Sequence, residues 1–232
     1  MRNILSLLVA ANAVCAWPFQ RRAVLGHDQI VGFPQTVPSG TAGELYLKFQ
    51  PWLEVYSGCV PFAAVDADGN TSGGLAKTGK PNERCGNNIG QVYARIGTHN
   101  GQSGIMYSWY MPKDSPSSGF GHRHEWENVV VWLSEASMSA TATGMSVSQH
   151  GGYQKSEDFF SSGSRPLVGY LSIWPINHQM IFTPEKGGEQ PLIAWESLPG
   201  AARSALENTN FGDATVPFKE STFAGNLEKA AL

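Results

Sequence analysis

Charge is scarce in this chain, and what there is leans acidic: 15% of the 232 residues are charged, with 16 Lys and Arg against 19 Asp and Glu. A partner held by counterion release needs a basic surface. Nucleic acid and a generic anionic bilayer are therefore excluded as partners. Long apolar runs are missing as well. No segment after the first residues approaches the roughly 18 to 20 apolar residues of a transmembrane span. There is no GxSxG nucleophile motif, no phosphate-binding loop, no internal repeat and no low-complexity linker, so residues 23–232 read as one domain. Cysteine is rare, at three residues.

The chain is instead rich in turn formers and aromatics, with 26 glycines, 14 prolines, 7 tryptophans and 11 phenylalanines. Short apolar runs punctuated by Gly and Pro point to a mainly β fold. The opening MRNILSLLVAANAVCA sets one basic residue before a short apolar stretch ending in small residues. Residues 1–16 read as a secretory signal peptide, with cleavage after Ala13 or Ala16 and a dibasic processing site ending at Arg22. Losing residues 1–16 removes only Arg2, which moves the formal charge from −3 to −4; losing 1–22 also removes Arg21 and Arg22 and gives −6. The expected mature product is secreted, extracellular and acidic.

Cleavage after Ala16 takes Cys15 away and leaves Cys59 and Cys85 in an oxidising compartment, where a disulfide between them is expected. On the chain-entropy model that bridge contributes roughly 3 to 4 kcal/mol. Inside the closed loop, Asn70-Thr71-Ser72 is a glycosylation sequon, which implies that Asn70 is exposed.

The clearest elements lie between 91 and 133. QVYARIG and GIMYSWYMP (104–112) read as strands joined through the Asn100-Gly101 turn, with a loop over 112–119 and a covered central strand in NVVVWL. PLVGYLSIWP and QMIFTP continue the pattern. Helix is expected around Ala201 to Leu206, and SEDFFSS (156–162) is expected to hold a turn of helix. The fold class is an antiparallel β-sandwich with a few flanking helices.

GHRHEWE (121–127) is dense in chemistry. Asp114, Glu125 and Glu127 supply the oxygen ligands that a hard divalent cation such as magnesium or calcium takes, and they sit around a loop that can bring them together. A regular strand from 122 onward would put His122, His124 and Trp126 on one face and Arg123, Glu125 and Glu127 on the other. His122 is therefore expected to lie in the loop, the other choice being a bulged strand. Arg123 and His124 are expected to support the site from behind, with Arg123 pairing a carboxylate. Four rivals stay open on the residues alone. A solvated, salt-bridged strand end needs no ion. A zinc site lacks the second His of His-Glu-x-x-His, and a cupin-type site has its glutamate in the wrong place. A glycosidase-like pair of Asp114 with Glu125 or Glu127 fits the spacing but needs a sugar-sized cleft.

Two stretches, GIMYSWYMPKDSPSSGFGHRHEWE (104–127) and WPINHQMIFTPEKGG (174–188), resemble the signature segments of the necrosis- and ethylene-inducing-like proteins, the NPP1 family, in its two-cysteine type. The resemblance implies a sandwich similar to those of actinoporins and fungal lectins. It also implies a toxin and virulence factor rather than an enzyme. Such proteins bind glycosylated sphingolipids, the glycosylinositol phosphorylceramides, at the outer face of plant plasma membranes and damage the bilayer. By motif position, Asp114, His122, Glu125 and Glu127 would surround a divalent cation, and Trp174 and His178 would lie near the sugar. Segment 104–123 resembles the pattern that plant immune receptors detect. Gly104 stands where the family usually has Ala, and Glu125 where it has Asp. Because the family includes non-toxic members, the alternative is a non-cytolytic, lectin-like binding protein or immune elicitor.

Overall fold

The computed structural model describes residues 22–172 and 178–232. The expected signal peptide, with Cys15, and Arg21 and Trp174 lie outside the described residues.

The chain forms β1 (Val24–Leu25), α1 (Thr41–Lys48), β2 (Trp52–Val55), β3 (Thr71–Ser72), β4 (Val92–His99), β5 (Gln102–Asp114), β6 (His122–Leu133), β7 (Ala142–Gln149), β8 (Gly152–Ser156), β9 (Ser161–Ser162), β10 (Arg165–Ser172), β11 (His178–Phe182), β12 (Leu192–Ala194), α2 (Gly200–Asn208) and α3 (Glu220–Ala230). The main sheet has the order β12-β4-β5-β6-β7-β8, and a smaller one runs β11-β10-β2 with β9 paired to β10. Strand β11 lies against β6 and β7, which joins the two sheets as a sandwich. Pairing is mostly antiparallel. The parallel pairs are β2 with β10, β12 with β4 and β1 with β3.

Local sequence accounts for the hairpins. Asn100 and Gly101 take φ of 49° and 82°, the twin positive values of a two-residue turn whose twist matches the strands it joins. His150 and Gly151 do the same between β7 and β8, with φ of 45° and 80°. The core is aromatic: Trp109, Trp132, Tyr46, Tyr93, Tyr107, Tyr110 and Tyr170 are fully buried. As expected, β6 is central, and every residue from His124 to Leu133 is buried. The Cys59–Cys85 bridge is formed.

Several expectations need correction. SEDFFSS is not helical. Ser161 and Ser162 pair with Pro166 and Arg165 around Gly163, whose φ of 67° suits a hairpin, and Asp, Ser and paired Phe are weak helix formers. Strand β5 does not stop at Pro112 but continues to Asp114. Asn70 is half-buried: its Nδ2 donates to Asp66 Oδ2 at 2.9 Å, and its Oδ1 accepts from Ala23 N at 2.9 Å. The sequon therefore sits in a closed turn, with both ends of the amide engaged. Helix α2 matches the expected one, whereas α1 and α3 carried little signal. α3 buries Phe223, Leu227 and Ala230, an i, i+4, i+7 stripe, over Gly97.

Candidate functional site

The register of β5 on β6 places the site. Pairing runs from Ser103 opposite Leu133 to Asp114 opposite His122 with no residue inserted. The strand is therefore not bulged, and His122 belongs to it rather than to the loop. Pairing lapses only opposite Pro112, at His124. Proline has no N–H to give the ladder, so His124 is released from it and takes φ of 62°. That left-handed residue breaks the strict alternation of faces. It brings His122 and Glu125 together, with His122 Nε2 3.5 Å from Glu125 Oε2 and 3.7 Å from Asp114 Oδ2.

Asp114, His122 and Glu125 each present a ligand atom within 4.8 Å of the others. The residues fit a hard cation on two further counts. His122 Nδ1 donates to the His124 carbonyl at 2.7 Å, which turns the lone pair of Nε2 toward the carboxylates. Metal-bound histidines are commonly fixed this way. Secondly, like charges are crowded into a buried space. Burial, and then the charges of Glu127 and Asp114, hold the Glu125 carboxyl well above the ordinary range. Burial also raises Glu127, with the Ser148 hydrogen bond opposing it. Burial works to raise Asp114 too, but the hydrogen bonds and charge of His178, with the charge of His122, outweigh it and keep this carboxyl low. A cation at this point removes the conflict.

The extra methylene of Glu125 is taken up locally. Its Oε1 turns back to accept the Trp126 N–H at 2.7 Å while Oε2 faces His122. Glu127 stands apart from the compact triad, and its Oε2 accepts a short hydrogen bond from Ser148 Oγ. His178 is buried beneath the site. Its Nδ1 bonds Asp114 Oδ1, its backbone N–H donates to Asp114 Oδ2 at 3.1 Å, and its ring stacks on Tyr170 at 4.7 Å. His124 is buried on the other side, bonded through Nδ1 to Tyr110 at 2.6 Å, and burial followed by the charges of Arg123 and His122 depresses its pKa to about 4. Arg123 does not pair a carboxylate. It is exposed, and its guanidinium donates to the Gly73 carbonyl at 2.7 Å, because the kink at His124 directs it away from the acids.

Above the acids opens a cleft of about 500 Å³. His122, Glu125, Glu127 and His178 line one end; the β7–β8 turn and α3 form the other. Ser148, Asn128 and Tyr153 were not foreseen. They carry no local motif and arrive at the cleft only through strand register.

The sequence profile described as Necrosis inducing protein (NPP1) matches residues 43–230. NLP effector protein 10 of Phytophthora capsici is 46% identical over 231 residues, covering 97% of this chain and 97% of that protein. NLPPya solved in complex with mannosamine superposes with a TM-score of 0.86 at 48% identity, covering 90% of this chain and 100% of that one; NLPPya has also been solved with glucosamine. The non-toxic HaNLP3 protein superposes with a TM-score of 0.84 at 40% identity, covering 88% of this chain and 98% of that one.

Proposed function

The chain belongs to the NPP1 family of necrosis-inducing proteins, and from that premise we propose that it is a secreted cytolysin that binds glycosylated sphingolipid head groups of the plant plasma membrane through a divalent cation. The grouping of Asp114 with His122 and Glu125, the latter two lining a 500 Å³ cleft, carries this reading. Magnesium or calcium would be held by these three residues, with Glu127 close behind. A cation with open coordination positions would supply a positive centre among the acids for an anionic head group. The sugar complexes of NLPPya support a glycan as the other half of the ligand.

The chain's own residues prepare the site. His178 fixes Asp114 by two hydrogen bonds, Ser148 fixes Glu127, and the buried sheet beneath keeps water from loosening either. His178 thus acts through Asp114 in this reading, and Trp174 is proposed as the aromatic beside the sugar. Segment 104–123 is the proposed immune epitope. Residues 104–114 are buried in β5, so a receptor would read the segment from unfolded or cleaved protein.

Dye leakage from vesicles made with plant glycosylinositol phosphorylceramide tests the proposal. Leakage should be abolished by EDTA and by Asp114→Ala; leakage that survives both sinks the cation role. A non-cytolytic elicitor is the second reading, favoured by Glu125 and by the likeness to non-toxic HaNLP3. Under it, the wild-type protein binds the vesicles without leakage and triggers defence signalling in infiltrated leaves without necrosis.

A further inference from the structure

The cleft is larger than one ion requires. A divalent cation with six waters, at about 30 Å³ per water, fills roughly 200 Å³, against the 500 Å³ present. The remaining space lies toward the β7–β8 turn and α3, and its chemistry differs from that of the acidic end. Asp213 and Lys229 both border it, so no one sign of charge dominates.

Beside these two charges it carries amides and hydroxyls that are held at one end by hydrogen bonds. Tyr153 donates to Asn128 Oδ1 at 2.8 Å, which fixes the Asn128 amide and leaves its nitrogen as a donor. Asn226 Nδ2 donates to the Pro217 carbonyl at 2.8 Å and leaves Oδ1 as an acceptor, and Thr222 Oγ1 donates to the Val216 carbonyl at 2.7 Å and keeps its lone pairs. All three residues line the cleft beside the Tyr153 ring. Fixed donors and acceptors around an aromatic ring suit a neutral polyhydroxylated ring, since each ligand hydroxyl then meets a group whose orientation is already set.

We infer that this wall, built by Asn128, Tyr153, Thr222 and Asn226, is a second sugar subsite, which holds the next ring of a glycan whose first ring sits at the cation. The inference deepens the head-group reading and rests on it.

Isothermal titration of the calcium-loaded protein with glucosamine and with glucosamine disaccharides of two linkages tests it. The expected result is that at least one disaccharide binds about tenfold tighter than the monosaccharide. In Tyr153→Phe and Asn226→Ala that ratio falls toward one, while calcium and glucosamine affinities stay within about twofold. Circular dichroism confirms that both variants fold. A wild-type ratio near one for both linkages, or a ratio that both variants keep, overturns the subsite. Calcium binding with no saccharide binding at all removes the head-group reading itself and this subsite with it.

Discussion

Ser148 illustrates how a side chain away from the motif can set the site. Its hydroxyl accepts the Asn128 N–H at 2.9 Å, so its own hydrogen is committed to Glu127. Groups that orient metal-site carboxylates typically contribute about 10- to 100-fold in affinity. Ser148→Ala is therefore expected to weaken calcium binding by about that factor in titration calorimetry, with Ser148→Thr recovering most of it. Unchanged affinity in the alanine variant would show that Glu127 needs no such hold. Ser148 could not be picked out of ATGMSVSQH, because its partner is 21 residues away and only register joins them. The acids themselves were legible, since their density in GHRHEWE is local. His122 was misplaced for a physical reason: strict strand alternation assumes regular φ, and the effect of Pro112 on the residue facing it across the ladder is not a property of either segment alone.

At the scale of elements, α3 holds the far wall of the cleft and is itself held by side chains on the sheet. Leu227 packs over Gly97, where an added Cβ would lie 2.6 Å from the Phe223 ring. Leu227→Ala should lower stability by about 2 to 5 kcal/mol in denaturant unfolding. Arg95 lies over the Phe223 ring at 4.4 Å, donates to the Phe218 carbonyl at 2.8 Å and pairs with Glu220 at 2.8 Å. The Arg95 hydrogen bond holds the Glu220 carboxyl below its ordinary value. A depressed carboxyl adds stability above the unfolded glutamate range, and that stability disappears as pH falls through the folded pKa. Glu220 is largely exposed and screened, so the gain is about 0.2 to 1 kcal/mol. The stability gap between wild type and Glu220→Gln should therefore be present at pH 7 and close as pH falls below the ordinary glutamate range. A gap that widens toward acid would contradict this sign. Helix α3 was hard to read from ESTFAGNLEKA, which contains Gly225 and has no side-chain cap, so tertiary packing rather than propensity makes it helical. The β4–β5 hairpin was legible because Asn100-Gly101 encodes its turn chemically.

For the whole molecule, the sandwich is a rigid frame that brings strand ends, a hairpin turn and a helix around one acidic cleft. The Cys59–Cys85 bridge belongs to that frame. It encloses Thr78 and Lys80, whose carbonyls receive the buried Lys113 ammonium at 3.0 and 2.9 Å, one residue before Asp114. Reduction should lower stability by about 2 to 5 kcal/mol, read as a drop in melting temperature, and an unchanged melting temperature would contradict it. No helix among the described residues is long and apolar enough to cross a membrane. The chain carries a net negative charge, and a bound cation would favour attraction to an anionic head group.

That dependence is most directly tested by calcium titration of dye leakage from vesicles containing plant glycosylinositol phosphorylceramide. Leakage is expected to rise with calcium, to vanish with EDTA and to return when calcium is restored, with Asp114→Ala inactive throughout. Leakage of equal rate in EDTA and in calcium, from both the wild-type protein and Asp114→Ala, would contradict the account.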